Sequence, residues 1–179
     1  MATFQDAAEK AKAIGHFPGW TEPEEETGAT RFEAPLEIDG IIEAGLFLFG
    51  LAFIRAPDCN VVFELTMRNV RGMRRVPLAR ICWRSLRGGH TNQRNSEIPP
   101  GSPKRVGSTH YHPFDLNWVS SDGRMRAGLP NAVPIPERLQ SFDDLVKFTG
   151  KCFRINNMDI VIRPEWEYEL FYERVLWDD

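Results

Sequence analysis

The sequence has few cysteines, few histidines and no long apolar run, and each scarcity excludes a class of protein. Three cysteines in 179 residues, Cys59, Cys82 and Cys152, are an odd number and form no C-x-x-C pair. The sequence therefore predicts neither a disulfide framework nor a spaced Cys/His zinc motif. We interpret the cysteines as small hydrophobic residues with reduced thiols, as is typical of a cytoplasmic protein.

Signals for membranes and for nucleotides are missing as well. The most apolar stretch, 41–54, is interrupted by Glu43 and two glycines, so it predicts a buried strand and not a membrane span. The N-terminus lacks the basic region and apolar core of a signal peptide. Neither a phosphate loop, nor a dinucleotide fingerprint, nor a G-x-S-x-G elbow occurs. We expect no membrane contact and no nucleotide-cofactor chemistry.

The composition is that of one folded domain, with 42% hydrophobic and 11% aromatic residues, but its charge is unevenly distributed. The net charge is −3, yet residues 68–105 contain ten Lys or Arg and one acid. Residues 1–43 contain ten acids and three bases, and residues 165–179 contain six acids and one base. This distribution favours either a nucleic acid bound at the middle segment or neutralisation of that segment by the acidic ends.

Strand patterns dominate the chain after its first 28 residues. We predict an N-terminal helix over 4–14 with an acidic linker to residue 28, then a single α+β domain over 29–179. A tight hairpin turn is expected at Asp39-Gly40, and a capping box beginning at Ser141 predicts a helix. The expected fold is an antiparallel sheet packed by one or two helices. Strands are predicted over 30–38, 41–54, 60–68, 76–84 and 109–115, with a further hairpin around 120–123. In the tail, 159–162 and 166–176 predict one or two strands, or a strand and a short helix.

Two of the four histidines, His110 and His112, lie two residues apart in a predicted strand. Side chains at that spacing point to the same face of a strand. A third, His90, lies in the long connection over 85–108, and a connection of that length is typical of a functional segment. These three histidines are the candidate site.

The first hypothesis for this site is a catalyst or binder of RNA. His90, His110 and His112 would supply the general acid and base for cleavage of a phosphodiester by its own 2′-hydroxyl group. Arg80 and Arg84 alternate along one face of the preceding predicted strand, and they would bind the phosphate and stabilise the transition state.

Two other interpretations stay open. A divalent metal ion at His110 and His112, completed by His90 or Asp115, fits the residue types, although the spacing is too unspecific for us to assign metal ligands. Alternatively, the histidines are structural, and the protein is a non-catalytic interaction or mobile-element accessory protein with a protein partner or a second copy of itself.

A series of short motifs lies within roughly residues 60–155. In chain order they are Arg80-Ile81, Gly89-His90-Thr91-Asn92, Glu97-Ile98-Pro99, His110-Tyr111-His112, Leu129-Pro130 and Ser141-Phe142 with Leu145 and Phe148. In this order of H-T-N, H-x-H and L-P motifs followed by a helix, the chain resembles a group of small, uncharacterised bacterial and phage-borne proteins. The resemblance implies a single α+β domain, and it groups the three histidines as a polar signature.

Overall fold

A seven-stranded antiparallel sheet organises the fold in a computed structural model that describes residues 2–68, 75–93 and 103–168. The strand order is β1-β2-β3-β4-β5-β8-β11. Two short ribbons lie outside this sheet, one formed by β6 with β7 and one by β9 with β10. The strands are β1 Ala13–Ile14, β2 Ala29–Ile38, β3 Ile41–Phe53, β4 Val61–Arg68, β5 Arg75–Trp83, β6 His90–Thr91, β7 Arg105–Val106, β8 His110–His112, β9 Trp118–Val119, β10 Arg124–Met125 and β11 Val133–Pro134.

The helices are α1 Phe4–Glu9, α2 Phe142–Phe153 and a short 3-10 helix Met158–Ile160. The predicted capping box at the start of α2 is confirmed: the Ser141 hydroxyl accepts from the Asp144 N–H at 3.2 Å, and the Asp144 carboxylate accepts from the Ser141 N–H at 3.1 Å. In the part of the chain that the structure describes, no helix has the length and apolar character needed to cross a bilayer. The predicted α+β fold class is confirmed.

The N-terminal segment packs onto the sheet. The predicted helix over 4–14 is too long, because the chain leaves α1 after Glu9 and Ala13–Ile14 pairs with β2 as an edge strand. Ala7 of α1 is completely buried, and the Lys12 N–H donates to the Arg154 carbonyl at the end of α2. The first residues of the chain thereby help to build the core.

The local turn chemistry of the main hairpin agrees with the sequence. Asp39 and Gly40 both have positive φ, 54° and 77°, as expected for the two central residues of a primed turn between twisted strands. The first tail segment forms a short helix, one of the two alternatives expected for the tail, and no strand. Turn hydrogen bonds close a 3-10 helix there, and the Asn157 side chain ties the segment to both the N–H and the carbonyl of Ile14. Of the second tail segment, 166–176, residues 166–168 form no strand and residues 169–176 lie outside the described residues.

Alternate residues of each strand separate the sheet into two different faces. One face packs on α2, where the rings of Phe63 and Phe142 lie 6.0 Å apart, and it holds the apolar core. On the opposite face, which we call the outer face, the apolar side chains are half-buried. The core side contains Leu46, Leu48, Ala52, Val61, Phe63 and Leu65, whereas the outer face contains Phe47, Phe49, Leu51, Val62, Glu64 and Thr66.

Candidate metal centre

The pairing of β8 with β5 positions the site on the outer face. His112 lies opposite Arg80, and His110 lies opposite Cys82. Directly opposed residues in an antiparallel pair share a face, so these four side chains stand together while Tyr111 points to the other side. The expectation that the two histidines of the H-x-H motif lie on one strand is confirmed.

The β6–β7 ribbon adds His90 to the cluster. The centroid of the His90 ring lies 4.7 Å from that of the His112 ring and 5.7 Å from that of the His110 ring. The centroids of the His110 and His112 rings lie 4.9 Å apart. Metal–nitrogen bonds of about 2.0–2.1 Å at tetrahedral angles place the centres of three ligating imidazoles about 5 Å from one another. The three rings therefore have the spacing of a three-histidine ligand set, although the sequence separates them by up to 22 residues.

One nitrogen of each imidazole is engaged by a backbone carbonyl. His110 Nδ1 lies 2.8 Å from the Gly107 carbonyl oxygen, and His112 Nδ1 lies 2.7 Å from that of Leu129. His90 Nε2 lies 2.8 Å from the Pro130 carbonyl oxygen. A carbonyl only accepts, so each of these nitrogens donates and, in the neutral ring, the other nitrogen has a lone pair. Histidine ligands of metal ions are oriented in this way.

Cys82 supplies a fourth donor that the sequence interpretation missed. Its Sγ and the ligand nitrogens of His110 and His112 all lie within 4.8 Å of one another, whereas His90 falls outside this tighter group. The sequence pattern of β5 indicates a small hydrophobic residue at this position. The signal that identifies it is its position two residues after Arg80, which places both side chains on one face of β5. Asp115, the other ligand considered, is exposed and is not part of the group.

Burial favours the neutral forms of His110, His112 and Cys82. His110 and His112 expose only 4% and 2% of their surface. Burial lowers the pKa of His110, and it lowers the pKa of His112 to about 3 with help from His110 and the Arg80 guanidinium. Burial also raises the pKa of the Cys82 thiol to about 11. Neutral imidazoles are the form that a metal ion binds.

Three consecutive carbonyl groups, those of residues 128–130, face the cluster. They accept hydrogen bonds from Arg80 at 3.4 Å, from His112 at 2.7 Å and from His90 at 2.8 Å. Leu129 has a φ of 53°, a left-handed conformation that is uncommon for a residue with a side chain. This strained turn aims successive carbonyls at the site, and it gives the Leu-Pro motif of the sequence a structural role.

Two buried asparagines fix the segment that follows this turn. Asn92 donates to the Pro103 and Ala132 carbonyls and accepts from the Ala132 N–H at 2.7 Å. Asn117 donates to the Asn131 carbonyl at 2.9 Å and accepts from the Asn131 N–H at 3.0 Å. The connections around the site are therefore held by side-chain amides, in an arrangement that replaces regular strand pairing.

The structure separates the two arginines that the sequence placed together. Arg80 stays beside the histidines, where Nε and Nη2 both lie 2.7 Å from the buried Glu64 carboxylate. Arg84 has a φ of 46°, so strand alternation ends at Trp83 and the side chain turns away. Its guanidinium donates to backbone carbonyls, including Gln140 at 3.2 Å, and none of its recorded contacts in the described residues is with a histidine.

The fold and the site define a class of protein: an α+β domain with a histidine–cysteine cluster on the outer face of an antiparallel sheet. Comparison with known proteins adds no family to that description, because no family model, no curated protein and no solved structure matches the chain. The resemblance to small bacterial and phage-borne proteins stays a prediction, and its segment Glu97-Ile98-Pro99 lies outside the described residues.

Proposed function

We propose that this protein binds one transition-metal ion of the zinc class through Cys82 Sγ, His110 Nε2 and His112 Nε2, with His90 beside the fourth coordination position. The observation that carries the proposal is the convergence of three imidazoles, each with one nitrogen bonded to a carbonyl, on the same face as a thiol. Such preorganisation of donors is what a metal site requires.

The donor types indicate which metal ions fit. A thiolate with imidazoles favours Zn²⁺, Co²⁺ or copper, whereas Mg²⁺ and Ca²⁺ favour oxygen ligands. His110 and His112 are buried, but Cys82 and His90 are half-buried, so the centre opens towards solvent on their side. Three protein ligands with an open position are typical of a catalytic centre, and binding of His90 would close it as a structural one.

The alternatives from the sequence explain less of this geometry. Acid–base cleavage of RNA needs a histidine that is protonated near neutral pH, and the lowered pKa values of the buried His110 and His112 disfavour that role for these two residues. Structural histidines would account for the three hydrogen bonds to carbonyls. That interpretation gives no reason for three imidazoles and a thiol to meet, whereas a metal ion accounts for both.

Titration of metal-free protein with Co²⁺ tests the proposal, because thiolate and imidazole ligands give distinct visible and near-ultraviolet absorption. We expect one equivalent to bind with tetrahedral d–d bands and a thiolate charge-transfer band. Cys82→Ser should abolish the charge-transfer band, and His90→Ala should weaken binding by about tenfold to 100-fold. Cys152→Ser and His16→Ala, which change a cysteine and a histidine outside the cluster, are the matched controls.

Thermal unfolding of each metal-free variant shows whether a loss of binding comes from misfolding. His90→Ala is the informative variant here, since the half-buried His90 contributes less to the core than the buried His112. Absence of one-equivalent binding by folded wild-type protein, or a charge-transfer band that persists in Cys82→Ser, would overturn the proposal.

A further inference from the structure

The candidate metal centre is one end of a row of side chains that crosses the outer face. Each member lies directly opposite the next on the neighbouring strand, so the row shares one face from β2 to β8. A second row runs beside it and reaches Cys82 and His110. The first row is Glu33, Phe49, Glu64, Arg80 and His112, and the second is Arg31, Leu51, Val62, Cys82 and His110.

Guanidinium groups lie over two aromatic rings of this face. The Arg68 guanidinium lies 5.0 Å from the centre of the Phe47 ring, and the Arg75 guanidinium lies 4.0 Å from that of Phe49. Both rings are half-buried. Proteins bind single-stranded nucleic acids by stacking bases on aromatic rings and on guanidinium planes, often on an open sheet.

The outer face is locally positive although the whole chain has a net charge of −3. Four arginines, Arg31, Arg68, Arg75 and Arg80, form ion pairs there with three carboxylates, those of Glu24, Glu33 and Glu64, which leaves a balance of +1. The acidic N-terminal segment therefore neutralises the basic middle segment only in part, through Glu33. Three further arginines of the middle segment, Arg71, Arg74 and Arg94, lie outside the described residues.

Arg75 is the guanidinium best placed to meet a ligand. It lies 3.8 Å from the Glu33 carboxylate and 3.7 Å from that of Glu64, beyond ordinary hydrogen-bond length in both cases. Arg68 and Arg80 are held more closely by the same two carboxylates, at 2.6 and 2.7 Å. About a third of the Arg75 side chain is exposed (36%), so a phosphate has access to it.

We propose that the outer face binds single-stranded nucleic acid, with bases stacked on the guanidinium planes of Arg68 and Arg75 that lie over Phe47 and Phe49, and with phosphates at these guanidinium groups and at Arg80. The two cross-strand rows run towards the metal centre, so a nucleic acid bound along them would reach it, and single-stranded nucleic acid is the proposed substrate class of that centre. This proposal rests on the proposed function only for the metal, because stacking and phosphate binding on the face need no ion.

Fluorescence anisotropy with a labelled twelve-nucleotide oligouridine, added to the full chain without metal, tests binding on the face. We expect Phe49→Leu to weaken binding about tenfold, since it keeps an apolar side chain but removes the ring that supports the Arg75 guanidinium as a stacking surface. Arg75→Gln should weaken binding and reduce the slope of log Kd against log salt by about 0.7. Arg163→Gln, which makes the same charge change at an exposed position in the C-terminal segment, should leave both unchanged.

Two further measurements keep the outcomes separate. Arg75→Lys should restore the salt slope, because it restores the charge, and circular dichroism should show that every variant is folded. Absence of salt-dependent binding, or equal binding by wild type, Phe49→Leu and Arg75→Gln, would overturn the proposal. In Zn²⁺-loaded protein we expect binding to tighten by about threefold or more, as a phosphate oxygen takes the open position. Face binding without any metal binding contradicts the proposed metal centre alone.

Discussion

The two faces of the sheet differ in what they bury: the face towards α2 buries apolar side chains, and the outer face buries polar ones. On the side of α2, Leu48 and Phe63 are completely buried, and they contribute through apolar packing. On the outer face, the side chains next to them in sequence are the half-buried Phe49 and the buried carboxylate of Glu64. Burial of a polar group is unfavourable unless hydrogen bonds compensate it. The outer face therefore keeps its polar groups only through the arginine pairs and carbonyl contacts described above.

The two faces contribute to the protein in different ways. The face that packs on α2 stabilises the fold with apolar side chains that need no specific partner. The outer face buries polar side chains, each of which needs its own hydrogen-bond partner. Glu64, His110 and His112 are each within hydrogen-bond distance of an arginine or a carbonyl. A site built in this way is expected to lose function before it loses the fold.

The largest expected effect is on the core side of the sheet. Phe63→Ala should reduce the free energy of unfolding by about 4 kcal/mol, because it removes a fully buried ring that packs between Phe32 and Phe142. Phe49→Ala, the matched change on the outer face, should cost about 1 kcal/mol. Urea unfolding of both variants measures the difference. Equal losses would contradict the division into a packed face and an open face.

A buried charge on the helical side gives the next largest effect. Lys12 exposes 1% of its surface, and burial, assisted by the Arg154 charge, lowers its pKa to about 8. The unfolded chain therefore holds this proton more tightly, so stability rises with pH between about 8 and the ordinary value of 10.5. Below pH 8 the full cost of the buried charge is present, on the order of 3 kcal/mol.

Lys12→Met tests that cost. The free energy of unfolding of wild type minus that of the variant should rise by about 3 kcal/mol from pH 7 to pH 10.5, since groups common to both proteins cancel. Urea unfolding at several pH values across this range gives the comparison. Parallel curves for the two proteins would show that the hydrogen bond from Lys12 Nζ to the Lys10 carbonyl, at 2.6 Å, compensates the buried charge.

Metal binding should stabilise the outer face directly. Free Zn²⁺ at about 100 times its dissociation constant raises the free energy of unfolding by about 2.7 kcal/mol when the ion binds only the folded protein. Addition of a chelator should reverse the gain, and Cys82→Ser should abolish it. The stabilisation should persist in Cys152→Ser; the same gain in both variants would place the ion elsewhere.

The smallest effect concerns the support of the site. Asn92→Ala removes the hydrogen bonds to the Pro103 and Ala132 carbonyls and to the Ala132 N–H, so we expect a loss of about 2 kcal/mol of stability. Zinc affinity should fall by about tenfold, since His90 and the 128–132 segment lose their anchor. Asn156→Ala, at an exposed position, is the control for both measurements. Unchanged affinity in Asn92→Ala would show that the carbonyls keep their positions without the amide.

The parts of the fold that could be predicted depend on neighbouring residues. Alternation along 30–38 and 41–54 indicated strands, because only one face of each is buried in apolar core. Asp39-Gly40 and Ser141-Phe142-Asp143-Asp144 indicated a turn and a helix start through local hydrogen bonding and positive φ. The end of α1 and the 3-10 helix at Met158–Ile160 could not be predicted in this way, because distant partners, β2 and Ile14, decide them.

The candidate site shows the same limit. The spacing of His110 and His112 predicted that the two side chains share a face, and the structure confirms it. Cys82 and the carbonyls of residues 128–130 could not be assigned without the pairing of β5 with β8, since a cysteine in an apolar strand has the same sequence pattern whether it packs or binds. The alternation of side chains along a strand predicts that Arg80 and Arg84 share a face, but the positive φ of Arg84 ends that alternation.

The amino-acid sequence by itself determined the long strands, the main hairpin turn, the cap of α2 and the shared face of two histidines, because each depends on periodicity or on groups a few residues apart. Only the tertiary structure decided that His90, Cys82 and Arg80 join them and that three successive carbonyls orient the cluster. Those contacts depend on strand register and on loops that close over the sheet. They link residues 17 to 48 positions apart, and no local pattern encodes such a distance.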